Sequence, residues 1–316
     1  MANKRTILVT GVAGFIGSNF LNFMVKKYPS YSFIGVDSLT SIASKDNIEV
    51  WGKKNFIFFK CDIRDRVELK KIFHDNAITD VIHLAAETHV DLSIKNPILF
   101  SEVNVNGTNN LLYLSHKYGL KRFHHISTDE VYGALQKEDA PFTEESPLQP
   151  NNPYSASKAG AEFFVRAYHK TFGMDTVVTR CSNNYGPRQD ATKLIPLFLK
   201  KLLAGEKVPL YGRGAQMREW LYVDDHVRGL DLVFHKGRSG EVYNIGAETE
   251  YPNIEVVEKL LRLTGRDKKS IHFVPDRLGH DFRYFLDISK IQKLGWKPKV
   301  SFEEGLKRTL AFYRSK

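Results

Sequence analysis

The chain has 316 residues, 42% of them hydrophobic, which is enough for one large α/β unit or two unequal lobes. No apolar run reaches the length of a membrane span and no signal region precedes the first strand, so we expect a cytoplasmic protein that makes no membrane contact. The net charge of +10 suits anionic ligands, but the basic residues are dispersed, which argues against a nucleic-acid partner, and two cysteines are too few for a disulfide framework or a thiolate metal site.

A short strand and a glycine-rich turn begin the chain. The apolar residues of Thr6–Thr10 predict a buried strand, and Gly11, Gly14 and Gly17 follow before an amphipathic helix. In this spacing Gly11 permits a tight turn, Gly14 lets backbone approach a pyrophosphate, and Gly17 allows close packing of helix on strand. The strand, turn and helix together predict a dinucleotide-binding site.

The next strand, Phe33–Val36, ends at Asp37, which lies 20 residues after Gly17. A carboxylate at this place accepts hydrogen bonds from the adenosine ribose and disfavours a 2′-phosphate. The position therefore favours NAD over NADP. Taken alone, Asp37 is equally consistent with an aspartate that begins a loop.

Two further strands contribute to the same predicted edge. The strand Phe56–Phe59 leads to Asp62, which is expected either to contact the adenine or to cap a helix that begins near Val67. A fourth strand ends in Ala85 and Ala86, whose small side chains leave room for a cofactor.

A hydroxyl group and two carboxyl groups end the next predicted strand. A long helix is expected over about 98–118, a strand leads to Ser127, and Thr128, Asp129 and Glu130 follow. Adjacent carboxyls repel and burial raises the pKa, which keeps one carboxyl protonated beside one ionised. The alternative for this triplet alone is an ordinary polar strand end.

Tyr154 and Lys158 stand at i and i+4 on a predicted helix, 24 and 28 residues after Glu130. They share one face of its first turn. An ammonium group near the phenol stabilises the phenolate, so we expect Tyr154 to remove a proton from an alcohol near neutral pH. The alternative for the pair alone is an exposed helix start.

The alternation of strands and helices predicts an α/β fold, a Rossmann-type doubly wound parallel sheet with a smaller α/β substrate-binding lobe. Residues 1–180 with about 222–246 are expected to bind the cofactor, because Val242–Ile245 adds one more sheet strand. About 181–221 and 247–316 form the second lobe. Arg218 and Arg277 are candidates for a diphosphate, since the guanidinium fork matches phosphate oxygens.

Several motifs carry a family resemblance. The run Thr128–Gly133 is the most specific, because related epimerases usually lack its adjacent Asp-Glu pair. The other matches are Ala85–Asp91, Asn183–Pro187, Lys193–Pro196, Arg218–Val223 and Asp276–Asp281. Over nearly its whole length the chain resembles the extended short-chain dehydrogenase/reductase family of nucleotide-sugar enzymes, and within it the 4,6-dehydratases.

The resemblance implies roles for individual residues. Tyr154, assisted by Lys158 and Thr128, would take the proton from the sugar O4 as hydride leaves C4 for NAD. Glu130 would remove the C5 proton and Asp129 would protonate the departing O6. The implied cofactor-binding residues are Gly11, Gly14, Phe15, Ile16, Gly17, Asp37, Asp62, Ile63, Leu84, Ala85, Ala86, Tyr154 and Lys158. The implied substrate-binding residues are Thr88, Thr128, Asn184, Lys193, Leu194, Tyr211, Arg218, Asn253, Arg277 and His280.

The expected activity is NAD-dependent conversion of a nucleotide-diphosphate glucose, dTDP- or UDP-glucose, to its 4-keto-6-deoxy form. Thr192 stands where the family usually has a glutamate, which leaves the exact hexose open. The alternatives are a 4-epimerase, a decarboxylase or another dehydratase of the same family, or a non-catalytic NAD-binding regulator. The family also implies a homodimer formed through helices at about 98–118 and 155–171.

Overall fold

The computed structural model describes residues 5–276 and 281–315. The strands are β1 Thr6–Thr10, β2 Ser32–Asp37, β3 Phe56–Lys60, β4 Asp80–His83, β5 Arg122–Thr128, β6 Thr176–Cys181, β7 Asn183–Tyr185, β8 Val208–Tyr211, β9 Met217–Tyr222, β10 Val242–Ile245, β11 Glu250–Pro252 and β12 Ile271–Val274. The α-helices are α1 Phe15–Lys27, α2 Arg66–Asp75, α3 Val90–Lys95, α4 Pro97–Phe100, α5 Thr108–Lys117, α6 Pro153–Phe172, α7 Leu194–Leu203, α8 Val223–Lys236, α9 Asn253–Thr264, α10 Ser289–Gln292 and α11 Phe302–Arg314.

The main sheet has seven parallel strands in the order β10-β6-β5-β4-β1-β2-β3. The chain begins at β1 and moves outward to β3, then returns to β4 on the other side of β1. This reversal opens a crevice at the carboxyl ends of the strands, where open α/β sheets bind ligands. The predicted doubly wound fold is confirmed.

Apolar clusters cover both faces of the main sheet. One face packs against α1 and α8 through side chains such as Phe20 and Leu230. The other packs against α2, α5 and α6, as with Leu69 and Val165. The strands are therefore buried on both faces, which explains their nearly continuous apolar runs.

A second cluster of elements forms the smaller α/β part. Strands β11, β9 and β7 make a three-stranded sheet, and β12 pairs with β8. Helices α7, α9 and α11 pack over them around side chains such as Phe198, Leu260 and Leu306. Across the described residues, no helix is both long and apolar enough to cross a bilayer.

The helix expected over about 98–118 is not regular. It comprises α4, a π-helical segment Ser101–Gly107 and α5. Inside this segment Asn104 donates hydrogen bonds to the Glu87 carbonyl oxygen (3.0 Å) and the Ser157 hydroxyl (2.8 Å), and accepts one from the Glu87 amide (2.9 Å). The wider turn aims the Asn104 side chain at the loop after β4, as π segments at functional sites commonly do.

Candidate active site

A cavity of about 310 Å³ opens at the carboxyl ends of β1 to β6. All the residues predicted to bind the cofactor line it, and so do the five predicted catalytic residues, Thr128, Asp129, Glu130, Tyr154 and Lys158. The parallel sheet brings them together because it places the ends of six strands at one edge. Polar residues that sequence reasoning missed also line the cavity, namely Ser38, Thr40, Arg64, Glu87, Ser127, Ser182, Asn183, Gln189 and Asp190.

The glycine turn after β1 leaves no space for a side chain at Gly11 or Gly17. A Cβ at Gly17 would lie 1.9 Å from the Gly11 carbonyl oxygen, and one at Gly11 would lie 2.7 Å from the Ala85 amide nitrogen. Gly11 also has φ +72°, a conformation that favours glycine. At Gly14 the nearest such contact is 3.4 Å away. The turn thus packs tightly on its own backbone at Gly17 and on the backbone after β4 at Gly11.

Helix α1 begins at Phe15, directly after Gly14, and no side chain caps its first turn. Phe15, Ile16 and Gly17 of this first turn line the cavity. An uncapped helix N-terminus binds phosphate groups, because its N–H groups and dipole favour negative charge. This arrangement fits the pyrophosphate of a dinucleotide.

Asp37 ends β2 and is largely buried in the wall of the same cavity. Its two carboxylate oxygens accept hydrogen bonds from the amides of Ala13 (2.9 Å) and Leu39 (2.8 Å). Asp37 therefore connects the glycine turn to the loop after β2. Each oxygen keeps an acceptor site that suits a ribose hydroxyl.

Asp62 lines the cavity and does not cap the following helix. The cap of α2 is Asp65, which accepts from the amides of Val67 and Glu68. Asp62 instead holds Arg64 in a forked contact with a shortest distance of 2.7 Å, and this lowers the pKa of Asp62. The capping alternative for Asp62 is wrong, because Asp65 stands one position before the helix.

The predicted catalytic residues Thr128, Asp129, Glu130, Tyr154 and Lys158 form a group that we call the catalytic corner. It begins where β5 ends. The Thr128 hydroxyl donates to the Asp129 carboxyl at 3.1 Å and accepts from the Glu130 amide at 3.3 Å. Asp129 is 1% exposed, and its second oxygen has no hydrogen-bond partner among the described residues. Burial and the adjacent charge of Glu130 raise the pKa of Asp129 to about 8. Asp129 is therefore protonated at neutral pH and can donate a proton.

Helix α6 carries Tyr154 and Lys158 into the same cavity. Asn152 and Ser155 form a capping box that fixes the start of the helix. The Lys158 ammonium group donates to the Ile126 carbonyl oxygen at 2.7 Å, and burial lowers the pKa of Lys158 to about 8. Its reach to β5 anchors the N-terminal part of α6 at the sheet.

The expected lowering of the pKa of Tyr154 is not found. Burial and the charge of Glu130 hold the pKa of the phenol well above its usual value, while a hydrogen bond with Thr128 acts in the opposite direction. The ammonium group of Lys158 is bonded to the strand instead. The protein alone therefore keeps Tyr154 protonated, and an additional positive charge is needed to favour the phenolate.

The predicted substrate-binding residues are divided. Thr88, Thr128, Asn184 and Lys193 line the cavity, whereas Leu194, Tyr211, Arg218 and Asn253 do not. Arg277 and His280 lie outside the described residues.

Arg218 illustrates the difference between the prediction and the structure. Its guanidinium group donates to the carbonyl oxygens of Met217 (2.7 Å), Asp281 (2.9 Å) and Phe282 (3.1 Å) and lies 4.5 Å from the centre of the Tyr284 ring. These bonds tie β9 to the segment that begins at 281. Arg218 is not among the residues that line the cavity, but its positive charge acts on the buried carboxyl group of Asp129.

Several buried polar atoms of the cavity residues have no hydrogen-bond partner among the described residues. They belong to Ser127, Asp129, Ser182, Asn183, Asn184 and Gln189. Buried polar groups are nearly always satisfied, and a cluster without partners is typical of a wall that a polar ligand covers. The cavity thus combines an anion site at α1 with hydrogen-bonding groups beyond it.

Comparison with known proteins identifies the family. The family model described as GDP-mannose 4,6 dehydratase matches residues 8–309. The chain belongs to this family of dehydratases. A dTDP-glucose 4,6-dehydratase of an Actinoplanes species is 46% identical over 98% of this chain and 98% of its own length. The predicted membership is confirmed.

Two solved structures of similar fold belong to enzymes with different reactions. The dTDP-glucose 4,6-dehydratase of Streptomyces venezuelae, solved with NAD bound, has TM-score 0.95 and 46% identity, covering 98% of this chain and 97% of its own. A UDP-glucose 4-epimerase of Thermotoga maritima has TM-score 0.92 and 35% identity over 98% and 99%. Both structures share the fold of this chain, so the fold alone does not distinguish dehydration from epimerisation. The residues at the end of β5 are the ones that bear on this distinction.

Proposed function

We propose that this protein is a hydro-lyase that converts a nucleotide-diphosphate glucose to the 4-keto-6-deoxy sugar. Its cofactor would be NAD, which is regenerated within each turnover. The observation that carries the proposal is the buried Asp129 beside Glu130. Elimination of water needs a proton donor and a proton acceptor at neighbouring carbons. A carboxyl group with a pKa of about 8 next to a second carboxyl group meets this need.

The residues of the corner have separable roles. Tyr154, hydrogen-bonded to Thr128, accepts the proton of the sugar O4 as C4 is oxidised. The ketone acidifies the C5 proton, which Glu130 accepts. Asp129 donates its proton to the C6 hydroxyl, which leaves as water. Lys158 holds the helix of Tyr154 on β5.

The glycine turn and Asp37 would hold NAD, with the pyrophosphate at the start of α1 and the adenosine ribose at Asp37. When bound, NAD would supply an acceptor for the hydride of C4 and, in its reduced form, the donor of that hydride to C6, and its positive charge would lie in the cavity that Tyr154 lines. This chain's residues position the sugar and move its protons. The fit rests on the uncapped helix start and on the missing space for side chains at Gly11 and Gly17.

Incubation with a panel of nucleotide sugars tests the proposal, with dTDP-glucose and UDP-glucose first. Dehydration gives a product lighter by one water that has ketosugar absorbance. A 4-epimerase leaves the mass unchanged, and a decarboxylase releases carbon dioxide only from a uronic acid. Turnover without loss of water would overturn the assignment, and binding without turnover would favour the regulator.

We also propose a homodimer formed through the helices at about 98–118 and 155–171. Exposed apolar side chains lie on the π segment's flanking helices and on α6, namely Ile98, Tyr113, Phe163, Phe164 and Phe172. Such clusters commonly mark interfaces. Phe163→Glu should shift the sedimentation coefficient toward a monomer, whereas Phe273→Glu on β12 should not. A monomeric parent protein would refute the dimer.

We also propose that the chain is divided into two lobes. Residues 1–180 and about 222–246 would bind the cofactor, and about 181–221 and 247–316 would bind the nucleotide sugar. The pairing of β10 with β6 supports the return of the chain to the first lobe. A cytoplasmic location is likewise proposed, because cytoplasm supplies both NAD and nucleotide sugars.

A further inference from the structure

The loop between β7 and α7 brings a carboxylate into the cavity wall. Asp190 lines the cavity, and so do Gln189 and Lys193 beside it. The Asp190 carboxylate accepts hydrogen bonds from the Thr192 amide (3.0 Å) and the Thr192 hydroxyl (2.8 Å), one on each oxygen. An ionised carboxylate offers about four acceptor sites, so each oxygen keeps one for a ligand.

The backbone before Asp190 is held in an unusual conformation. Arg188 has φ 70°, in the left-handed region that residues other than glycine seldom adopt. Strained backbone of this kind persists only where its surroundings enforce it, and it concentrates at functional sites. The contacts of Arg188 identify what enforces it here.

Arg188 anchors the loop to the first helix. Its guanidinium group, 15% exposed, donates to the Asn19 side chain at 2.6 Å and pairs with Glu49. Asn19 in turn donates to the Pro187 carbonyl oxygen at 3.0 Å and to the Phe15 carbonyl oxygen at 2.9 Å. The loop is thereby fixed to the helix that begins at the glycine turn.

The other side of the loop is fixed too. The Tyr313 hydroxyl donates to the Gln189 carbonyl oxygen at 2.7 Å, and the Gln189 side chain donates to the Asn184 carbonyl oxygen at 2.9 Å. Contacts from α1, α11 and β7 therefore converge on this short segment. The position of the Asp190 carboxylate is set before a ligand arrives, which lowers the entropy cost of binding.

The charge of Asp190 decides which part of a ligand it suits. A carboxylate repels a diphosphate but accepts strong hydrogen bonds from neutral hydroxyl groups. Lys193, which follows in the chain, brings a positive charge to the cavity wall, where it donates to the Thr88 carbonyl oxygen at 3.2 Å. The hexose is the part of a nucleotide sugar that carries hydroxyl groups beyond the diphosphate.

We propose that Asp190 is a specificity-determining residue that accepts hydrogen bonds from hexose hydroxyl groups, and that Arg188 is the positioning residue that holds it in the cavity wall. The proposal rests on the proposed function, because it assumes a nucleotide-sugar substrate. It adds a residue that chooses among hexoses.

The first experiment compares Asp190→Asn with the parent protein on nucleotide-diphosphate glucose and on its 2-deoxy and 3-deoxy analogues. The parent should discriminate against one analogue, and Asp190→Asn should lose that discrimination, with KM for the full sugar raised about 10-fold to 100-fold. Glu206→Gln, a surface carboxylate paired with Lys201, is the control and should change neither value.

A second experiment measures binding of the nucleoside diphosphate, which lacks the hexose. It shows whether Asp190 contacts hydroxyl groups of the hexose or those of another part of the ligands. Calorimetry with dTDP should give equal affinity for the parent protein and Asp190→Asn. Weaker dTDP binding would assign Asp190 to the nucleotide ribose, and loss of copurified NAD would assign it to the cofactor; each overturns the proposal. A parent protein that turns over no nucleotide sugar would instead refute the proposed function.

A double-mutant cycle tests the link to Arg188. Arg188→Ala should raise KM, as Asp190→Asn does. The double variant should show little further increase, because both substitutions remove the same contact between Asp190 and the hexose. Arg188→Gly, which suits the left-handed backbone, should lie closer to the parent protein than Arg188→Ala. Effects that multiply would show two independent residues and refute the positioning role.

Discussion

The Thr128 hydroxyl donates a hydrogen bond to the Asp129 carboxyl at 3.1 Å. Asp129 is buried beneath it, whereas Glu130 is half-buried at the cavity. Two adjacent acids thus meet different surroundings within one turn. This asymmetry supports the proposed roles of Asp129 as proton donor and Glu130 as proton acceptor and leads to the first three predictions.

Asp129→Asn should slow the loss of water far more than the oxidation at C4. The amide keeps the shape of the side chain but cannot donate an acidic proton, and general acid catalysis commonly contributes about 10²-fold to 10⁴-fold. Single-turnover mass spectrometry measures the loss of water, and absorbance at the reduced nicotinamide band measures the oxidation. Water loss at the parental rate would exclude Asp129 as the acid.

Glu130→Gln should stop the exchange of the C5 hydrogen with solvent while C4 oxidation continues. The carboxylate is the group placed to accept that proton, and an amide has no comparable basicity. Mass spectrometry of sugar recovered from deuterated water reports the exchange. Unchanged deuterium uptake in the variant would remove Glu130 from this role.

The rate of water loss should fall as the pH rises through about 8. Burial raises the pKa of Asp129 to about 8, so the proton donor is present below that pH and lost above it. Lys158, whose pKa is lowered to about 8, loses its charge over the same range. The fall attributable to Asp129 should be missing in Asp129→Asn. A rate of water loss that climbs between pH 7 and 9 would contradict the assignment.

Gly17→Ala should abolish retention of NAD by the purified protein. The added methyl group would lie 1.9 Å from the Gly11 carbonyl oxygen, so the turn has to open. Gly52→Ala is the control, because an added Cβ at Gly52 meets no atoms within 4 Å, although Gly52, unlike Gly17, has a positive φ of +76°. The control should cost about 1 kcal/mol of stability and leave retention unchanged. NAD is measured by absorbance after gel filtration and denaturation.

The sequence predicts the arrangement of the sheet well, because strand ends, glycines and helical spacing are local properties. Tertiary contacts set the features that it misses. The π segment forms where Asn104 reaches Glu87 and Ser157, which are distant in sequence. Arg218 turns to backbone carbonyl groups around 281 for the same reason.

The pKa of Tyr154 is a second kind of failure. The i, i+4 spacing correctly places Lys158 on the same helix face, but spacing does not reveal that the ammonium group reaches the Ile126 carbonyl oxygen. Nor does it reveal the depth of burial, which dominates the pKa. The residues predicted to bind the cofactor and to carry the chemistry all line the cavity, whereas their electrostatic balance depends on burial and contacts that the fold sets.

The return of the chain to the main sheet through β10 has a consequence for engineering. Strand β10 follows β7 and β9 in sequence yet pairs with β6, so the smaller part interrupts the larger one. A fragment that stops at residue 180 would leave β6 as an apolar edge open to pairing with other molecules. Exchange of the smaller part between relatives therefore requires two coordinated grafts, one on each side of β10, and a simple fusion at a single junction would aggregate.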